Sequence, residues 1–197
     1  MYLPLAFEMK DRAALVAHVA AHPFATVVTQ GGDGPVASHL PLLLGRDGTV
    51  LRGHVARENP QVEHLASGAA VLAIFHGPHG YVSPSVYAEP LSVPTWNYVV
   101  VHVRGRARAV DDPALRAILD ESVARFDDTG WRLREDPEFL GKMLGAVMGF
   151  EIAIESWEGK WKISQNRPAG DVPNVIAWLE KGDEDSRALA HLMRRRR

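Results

Sequence analysis

The 197-residue sequence contains no cysteine. Disulfides, thiolate metal centres and cysteine nucleophiles are therefore excluded, and the chain suits a reducing compartment. Long apolar runs are also missing. The Tyr98–Val103 stretch falls far short of the roughly 20 residues that a membrane-spanning helix needs. Met1 to Lys10 lacks the basic start and apolar run of a secretion signal. A cytoplasmic protein with no membrane segment is expected. Charge of one sign is not in excess. The net charge of −2 implies no general attraction to nucleic acid, because an electrostatic binder needs a basic stripe. The terminal run Arg194-Arg195-Arg196-Arg197 could reach phosphates, although such runs are usually just solvated, so DNA contact is doubtful on charge.

Several catalytic signatures are absent as well. There is no G-x-G-x-x-G after a strand, no phosphate-loop G-x-x-x-x-G-K-[ST], no G-x-S-x-G elbow and no H-E-x-x-H helix. Nine histidines invite a metal reading, but no cysteine joins them. Pro78 between His76 and His79 denies them the helical register that pairs two ligands on one face. No metal site is expected, and no residue stands out as an acid, base or nucleophile.

What is present reads as a mostly antiparallel β protein. Asp11 caps a helix carrying Leu15, Val16 and Val19, and His22-Pro23 ends it. Strands are expected at Phe24–Gln30, Val36–Leu44 and Thr49–Val55, joined by Gly31–Pro35 and Arg46-Asp47-Gly48 turns. Pro41 lacks a donor and marks an edge or an opening. Asn59-Pro60 starts a short helix, and Ala69–His76 is an apolar strand. A Gly/Pro/His loop, a Tyr81-Val82 strand and an irregular Pro84–Pro94 segment follow. Tyr98–Val110 is the longest strand. Asp112-Pro113 and Asp136-Pro137 open helices, the first with Leu115, Ile118, Leu119, Val123 and Phe126 on one face. Phe150–Ile154 and Trp157–Ile163 return as strand, and the chain turns helical after Asn166. Early strands follow one another through tight turns, which argues for an antiparallel barrel over a parallel sheet.

Five clusters carry candidate chemistry, each with a plainer explanation. Ser38-His39-Leu40-Pro41 offers donors on a strand that opens at proline, or is a wet edge. His54-Val55-Ala56-Arg57-Glu58-Asn59-Pro60 runs a strand into a helix start, which suits phosphate, or is an ordinary cap made by Asn59. Arg104, Arg106 and Arg108 share one face of a strand, as a phosphate grip or as a solvated face matched by acids. Ser83-Pro84-Ser85 with Pro94-Thr95-Trp96-Asn97-Tyr98 could seat a flat ring, or form a loop in which Trp96 plugs a barrel end. Trp157 to Arg167 is the densest polar cluster, with Lys160 and Lys162 pointing one way and Gln165 at the strand's exit, or is a solvated basic edge, which accounts for the lysines better than for the tryptophans.

These blocks, taken in order, resemble the PaiB-like family of FMN-binding negative regulators. Met1-Tyr2-Leu3-Pro4 with Phe7-Glu8, Arg57-Glu58-Asn59-Pro60-Gln61, Gly77-Pro78-His79 through Ser83-Pro84-Ser85 to Val93–Tyr98, and Glu158-Gly159-Lys160 through Ser164-Gln165-Asn166-Arg167 carry the likeness over nearly the whole chain. Val62 and Val86 depart from it, standing where an aromatic and a tryptophan are expected. The resemblance implies a mainly β (α+β) fold, an antiparallel split β-barrel with connecting helices. Residues 1–168 would form that domain and 169–197 its helical C-terminal extension. It also implies a homodimer with FMN in a groove between subunits. In that groove Ser38, His39 and Leu40 form the lining, and His54, Val55, Ala56, Arg57 and Asn59 flank the phosphate. Thr95, Trp96, Asn97, Lys160, Lys162 and Gln165 complete it. The implied function is negative transcription regulation. The alternatives are a flavin-dependent oxidoreductase acting on a small molecule, related to pyridoxamine phosphate oxidase-like proteins, and a dimeric scaffold with an empty groove.

Overall fold

The structure, a computed structural model, describes residues 1–89 and 91–195. In chain order the elements are β1 (Glu8–Met9), α1 (Arg12–Ala21), β2 (Phe24–Gly31), β3 (Gly34–Pro41), β4 (Leu43–Leu44), β5 (Val50–Ala56), α2 (Gln61–Ala66) and β6 (Ala70–Val82). Then come β7 (Thr95–Ala109), α3 (Asp112–Phe126), α4 (Pro137–Ala146), β8 (Val147–Lys162), α5 (Asp171–Leu179) and α6 (Glu184–Arg195). The strands form one sheet in the order β3-β2-β6-β7-β8-β5-β4, with β1 added on β8. Its two ends, β3 and β4, are not paired to each other, so the sheet stays open. Among the described residues no helix is long and apolar enough to cross a membrane.

The helix starts follow the local chemistry read from sequence. Asp11 Oδ1 accepts from the Ala13 amide at 2.9 Å, Asp111 from Ala114 at 3.0 Å and Asp136 from Phe139 at 2.7 Å. Each satisfies an amide that the first helical turn leaves unpaired. Pro41 ends β3, the edge strand, as a residue without a donor should.

The β6 segment differs from expectation. The Gly77-Pro78-His79 stretch is not a loop but the middle of one continuous strand. Pairing with β2 covers Val71 to Ile74 only, so Pro78 lies beyond the part of β6 that β2 must serve with hydrogen bonds. Gly77 is needed for another reason: a Cβ there would lie 2.4 Å from the His18 ring and 3.2 Å from Val99.

The chain packs as two compact units: Met1–His18, His76–Val101 and Glu158–Arg197 form the first, Val19–Phe75 and His102–Trp157 the second. In the first, Leu15 and His18 of α1 are buried, and the His18 ring meets Trp161 edge-on at 5.4 Å. The apolar faces of α5 (Val175, Ile176, Leu179) and α6 (Leu189, Ala190, Met193) are buried too. They sit against β6, where Leu179 and Ser186 crowd Gly80 and the Trp178 indole donates to the Tyr81 carbonyl at 2.8 Å.

In the second unit the core is Val27, Leu51, Ala73, Phe75, Phe150 and Ile152, all fully buried. Leu115, Ile118 and Leu119 of α3 are buried as its periodicity predicts, but Phe126 is 46% exposed. It is the last helical residue, and Asp127 already has extended backbone. One polar side chain is embedded here. Gln61 is fully buried, and the two hydrogens of its amide nitrogen are shared among the Val27 and Val36 carbonyls and the Thr29 hydroxyl, all at 2.9 to 3.0 Å. It thereby ties α2 to the β2–β3 hairpin. Gln61→Leu is expected to lower stability by about 2 kcal/mol, since it leaves buried acceptors unpaired. A urea midpoint shift with unchanged slope checks this.

Candidate functional site

The expected site residues divide between the two units. Those of the first unit form a connected constellation at the start of β7 and the end of β8. The β8 strand alternates, so Lys160 and Lys162 share a face while the buried Trp161 takes the other. The Lys162 ammonium donates to the Thr95 hydroxyl and, at 2.7 Å, to the Trp96 carbonyl. Asn97 is buried and donates to the Ser164 hydroxyl at 2.8 Å. Ser164 takes a positive φ of 67°, which turns the chain out of β8. Gln165 holds that turn by accepting from the Ile163 amide at 2.7 Å and donating to the Trp161 carbonyl.

Lys160 is 7% exposed; its ammonium donates to the Tyr2 carbonyl at 2.9 Å and lies over the Tyr2 and Tyr98 rings at 5.4 and 5.3 Å. Arg167 lies over the Tyr87 ring at 4.0 Å. Among the described residues none of Lys160, Lys162 and Arg167 is paired with a carboxylate. The Lys162 ammonium is held below its ordinary value, first by partial burial and then by the positive charges of Lys160 and Arg167. Lys160 and Arg167 therefore lie close enough to disfavour the charge on Lys162.

Beside them lies an aromatic face. Trp96 is 51% exposed, so it plugs nothing. The His79 ring stacks on it at 5.7 Å and Tyr81 meets it edge-on at 6.2 Å. His79 faces Asp185 of α6 at 3.5 Å. Tyr2, His79, Tyr81, Tyr87 and Arg167 were not among the expected site residues, although Tyr2, His79, Tyr81 and Arg167 stand inside the blocks that carry the family likeness. Pairing them with the lysines requires β6, β7 and β8 to be neighbours, which no local pattern states.

In the second unit the strand alternation separates Ser38 from His39. Ser38 accepts from the Asn59 side chain at 2.9 Å, while His39 contacts the Thr26 hydroxyl at 3.2 Å and stacks on Phe24 at 6.3 Å. Leu40 is half-buried beside them. Asn59 also accepts from the Gln61 amide at 2.9 Å, so it performs the capping that the plainer explanation assigned to it. Val55 points into the core, Ala56 and Arg57 are exposed, and His54 shares a strand face with Arg52. Arg52 pairs with Glu121 of α3 at 2.8 Å, which places His54 on the helix-covered side. The arginines of β7 also follow the plainer explanation in part: Arg106 and Arg108 pair with Glu155 and Glu151. A shallow cleft of about 360 Å³, lined by Val28, Leu72, Arg104 and Glu155 among others, includes none of the expected site residues.

Burial pushes the His54 imidazole below its ordinary value. Between that lowered value and 6.5 the unfolded chain binds more protons than the folded one, so stability rises with pH across this window and falls as pH drops through it. His54→Gln is expected to flatten the decline, measured as urea midpoints between pH 7 and pH 5.

An open antiparallel sheet with helical connections is a split-barrel fold. Two solved structures bear this out: the FAD and heme binding protein from Mycobacterium smegmatis, with TM-score 0.62 and 24% identity over 79% of this chain and 73% of that one, and the flavocytochrome Anf3 from Azotobacter vinelandii, with TM-score 0.63 and 20% identity over 79% and 69%. A family profile described as "Putative FMN-binding domain" matches residues 1–156. The chain is also 33% identical over 200 residues to the protease synthase and sporulation protein PAI 2 of Bacillus subtilis (strain 168), covering 98% of this chain and 96% of that protein. It belongs to this PaiB-like FMN-binding family, and FMN is the family's cofactor. The donor set here fits that group, since unpaired cations suit a phosphate and exposed rings suit a flat heterocycle.

Proposed function

We propose that the chain is a cytoplasmic, homodimeric FMN-binding regulator that acts negatively on transcription, with the flavin at the subunit interface. One observation carries the flavin half: Lys160, Lys162 and Arg167 gather without a carboxylate next to the exposed Trp96 face. Lys162 and Arg167 counter the phosphate charge, and Lys160 adds field from its aromatic cage. Trp96, backed by His79 and Tyr81, offers the ring a wall, while Thr95, Asn97 and Gln165 hold the lysine and the strand exit in place. For the second unit the family likeness implies Ser38, His39, Leu40, Ala56, Arg57 and Asn59 as further groove residues, while Val55 is buried in the core and His54 lies on the helix-covered side. When bound, FMN supplies one- and two-electron redox chemistry. The regulatory half is supported by the relative's name as a sporulation protein. A cysteine-free chain is consistent with the cytoplasm.

The test is a titration with FMN and with riboflavin, which lacks the phosphate, read by quenching of flavin fluorescence. FMN is expected to bind at least tenfold more tightly. Equal affinities would remove the phosphate from the account, and no binding of either would end the flavin reading. Bleaching by a nicotinamide donor with turnover would move the function to an oxidoreductase. Sedimentation at micromolar concentration checks the dimer.

A further inference from the structure

The charges of this chain are segregated along its length. Residues 187–197 hold five arginines, one histidine and no acidic residue, whereas the other 186 residues hold 17 lysines and arginines against 24 acidic groups. The near-neutral total therefore hides a terminal segment of +5 on a body of −7. Arg196 and Arg197 lie outside the described residues, but the rest of the segment is helical.

α6 buries Ser186, Leu189, Ala190 and Met193. Its other side exposes Arg187, His191, Arg194 and Arg195 at spacings of four, three and one residues, a stripe about 12 Å long that follows the acidic first turn of Glu184 and Asp185. Ordinary helix-end chemistry explains Arg194 and Arg195, since cations favour a helix C-terminus. It does not explain Arg187, in the first half of the helix, and His191 lies a full turn before its last residue. Existing contacts leave the stripe usable: Arg194 pairs with Glu180 and Arg187 donates to the Gly182 carbonyl at 2.6 Å, and both arginines are exposed. Surface pairs of this kind are weak and exchangeable.

We infer that the exposed face of α6 is a docking surface for the phosphate backbone of duplex nucleic acid. The occupant is chosen by charge complementarity and by what the helix lacks. An interfacial membrane helix needs an apolar face to bury in lipid, and the apolar face of α6 is already packed within the protein. Laid along the duplex axis, a stripe of about 12 Å spans three or four phosphates of one strand, which rise about 3.4 Å each. Contacts to phosphates carry no sequence information, so this docking is independent of sequence. This inference rests on the regulatory reading above and gives it a physical site.

The experiment measures fluorescence anisotropy of a labelled 25-base-pair duplex with the full-length protein between 50 and 200 mM salt. The triple variant Arg187→Gln, Arg194→Gln, Arg195→Gln is expected to lose at least tenfold in affinity at 50 mM. Its log–log salt slope should flatten by up to about 2.7, near 0.9 for each contact removed. Arg46→Gln, an exposed arginine elsewhere, should bind like the parent chain. A parent chain that ignores the duplex at 50 mM salt overturns the proposal, as does equal or tighter binding to poly-glutamate or to anionic vesicles. Binding by the parent and the triple variant alike overturns the α6 assignment while leaving regulation through another surface. FMN titration of the same variants should be unchanged, so failure of the flavin reading would show separately.

Discussion

Gly105→Val is expected to destabilise the fold by about 3 kcal/mol or more, enough to leave little native protein in a domain of ordinary stability. Gly105 stands in β7 between the buried Val103 and Ala107, on the same inward-facing series. A Cβ at this position would lie 2.1 Å from the Ala153 carbonyl oxygen and 2.8 Å from the Ile152 side chain. The first obstacle is backbone, so no rotamer change relieves it; β8 itself must move. The backbone angles do not require glycine here, and the constraint is the close approach of a neighbouring chain. Urea midpoints and soluble yield report the effect. Gly141→Ala makes an informative counterpart, because Gly141 lies within α4 with nothing within 4 Å of its missing Cβ. That change is expected to stabilise by about 0.5–1 kcal/mol, the ordinary helical gain of alanine over glycine. If Gly105→Val and Gly141→Ala behaved alike, the close contact of β7 with Ala153 would be wrong.

Lys162→Ala is expected to weaken FMN binding roughly 10- to 100-fold, the effect of losing a charge-assisted hydrogen bond. Lys162→Glu should do worse, since it adds a negative charge where the cofactor brings its own. The substitution also relieves repulsion among Lys160, Lys162 and Arg167, so the unliganded protein should not lose stability through charge. Affinity should fall while the unfolding midpoint without flavin holds, and both are measured on the same preparations. The pH dependence has a definite sign. The folded Lys162 value lies below 10.5, so between the two values the unfolded chain binds more protons and stability rises with pH. An anion reverses the shift by favouring the ammonium. FMN affinity should therefore decline as pH rises toward 10.5, and Lys162→Ala should lose that alkaline decline. Retention of the full pH profile by the alanine variant would show that Lys162 is not the group that meets the anion.

Much of the site was legible as chemistry before it was legible as geometry. The spacing of Lys160, Trp161 and Lys162 states that the ammonium groups share a face, and the strand obeys. The Pro94–Tyr98 block, whose hydroxyl and amide were expected to meet the edge of a flat ring, instead gives Thr95 and the Trp96 carbonyl to Lys162 and the buried Asn97 to Ser164. The Asn59 cap was equally readable, because Asx capping involves residues two or three apart. Less legible was the role of Gln61, a polar residue beside a proline that becomes the buried tie among α2, β2 and β3. Its partners lie 25 and more residues away, so only the packed structure pairs them. The Gly77-Pro78-His79 stretch misled for a related reason. Glycine and proline ordinarily break a strand, and here a close helix residue and the limited reach of β2 pairing permit both.

Capping residues, strand alternation, turn glycines and the ordered family blocks lie in the chain itself, and they determined most of the elements, the antiparallel class and the family. Such features depend on neighbours a few residues apart, where backbone preference and side-chain chemistry act directly. The order β3-β2-β6-β7-β8-β5-β4, the burial of Gln61 and the counterion-free meeting of Lys160, Lys162 and Arg167 were decided only by tertiary structure. They require segments far apart in sequence to share space, and apolar burial and backbone approach select such meetings without leaving a local mark.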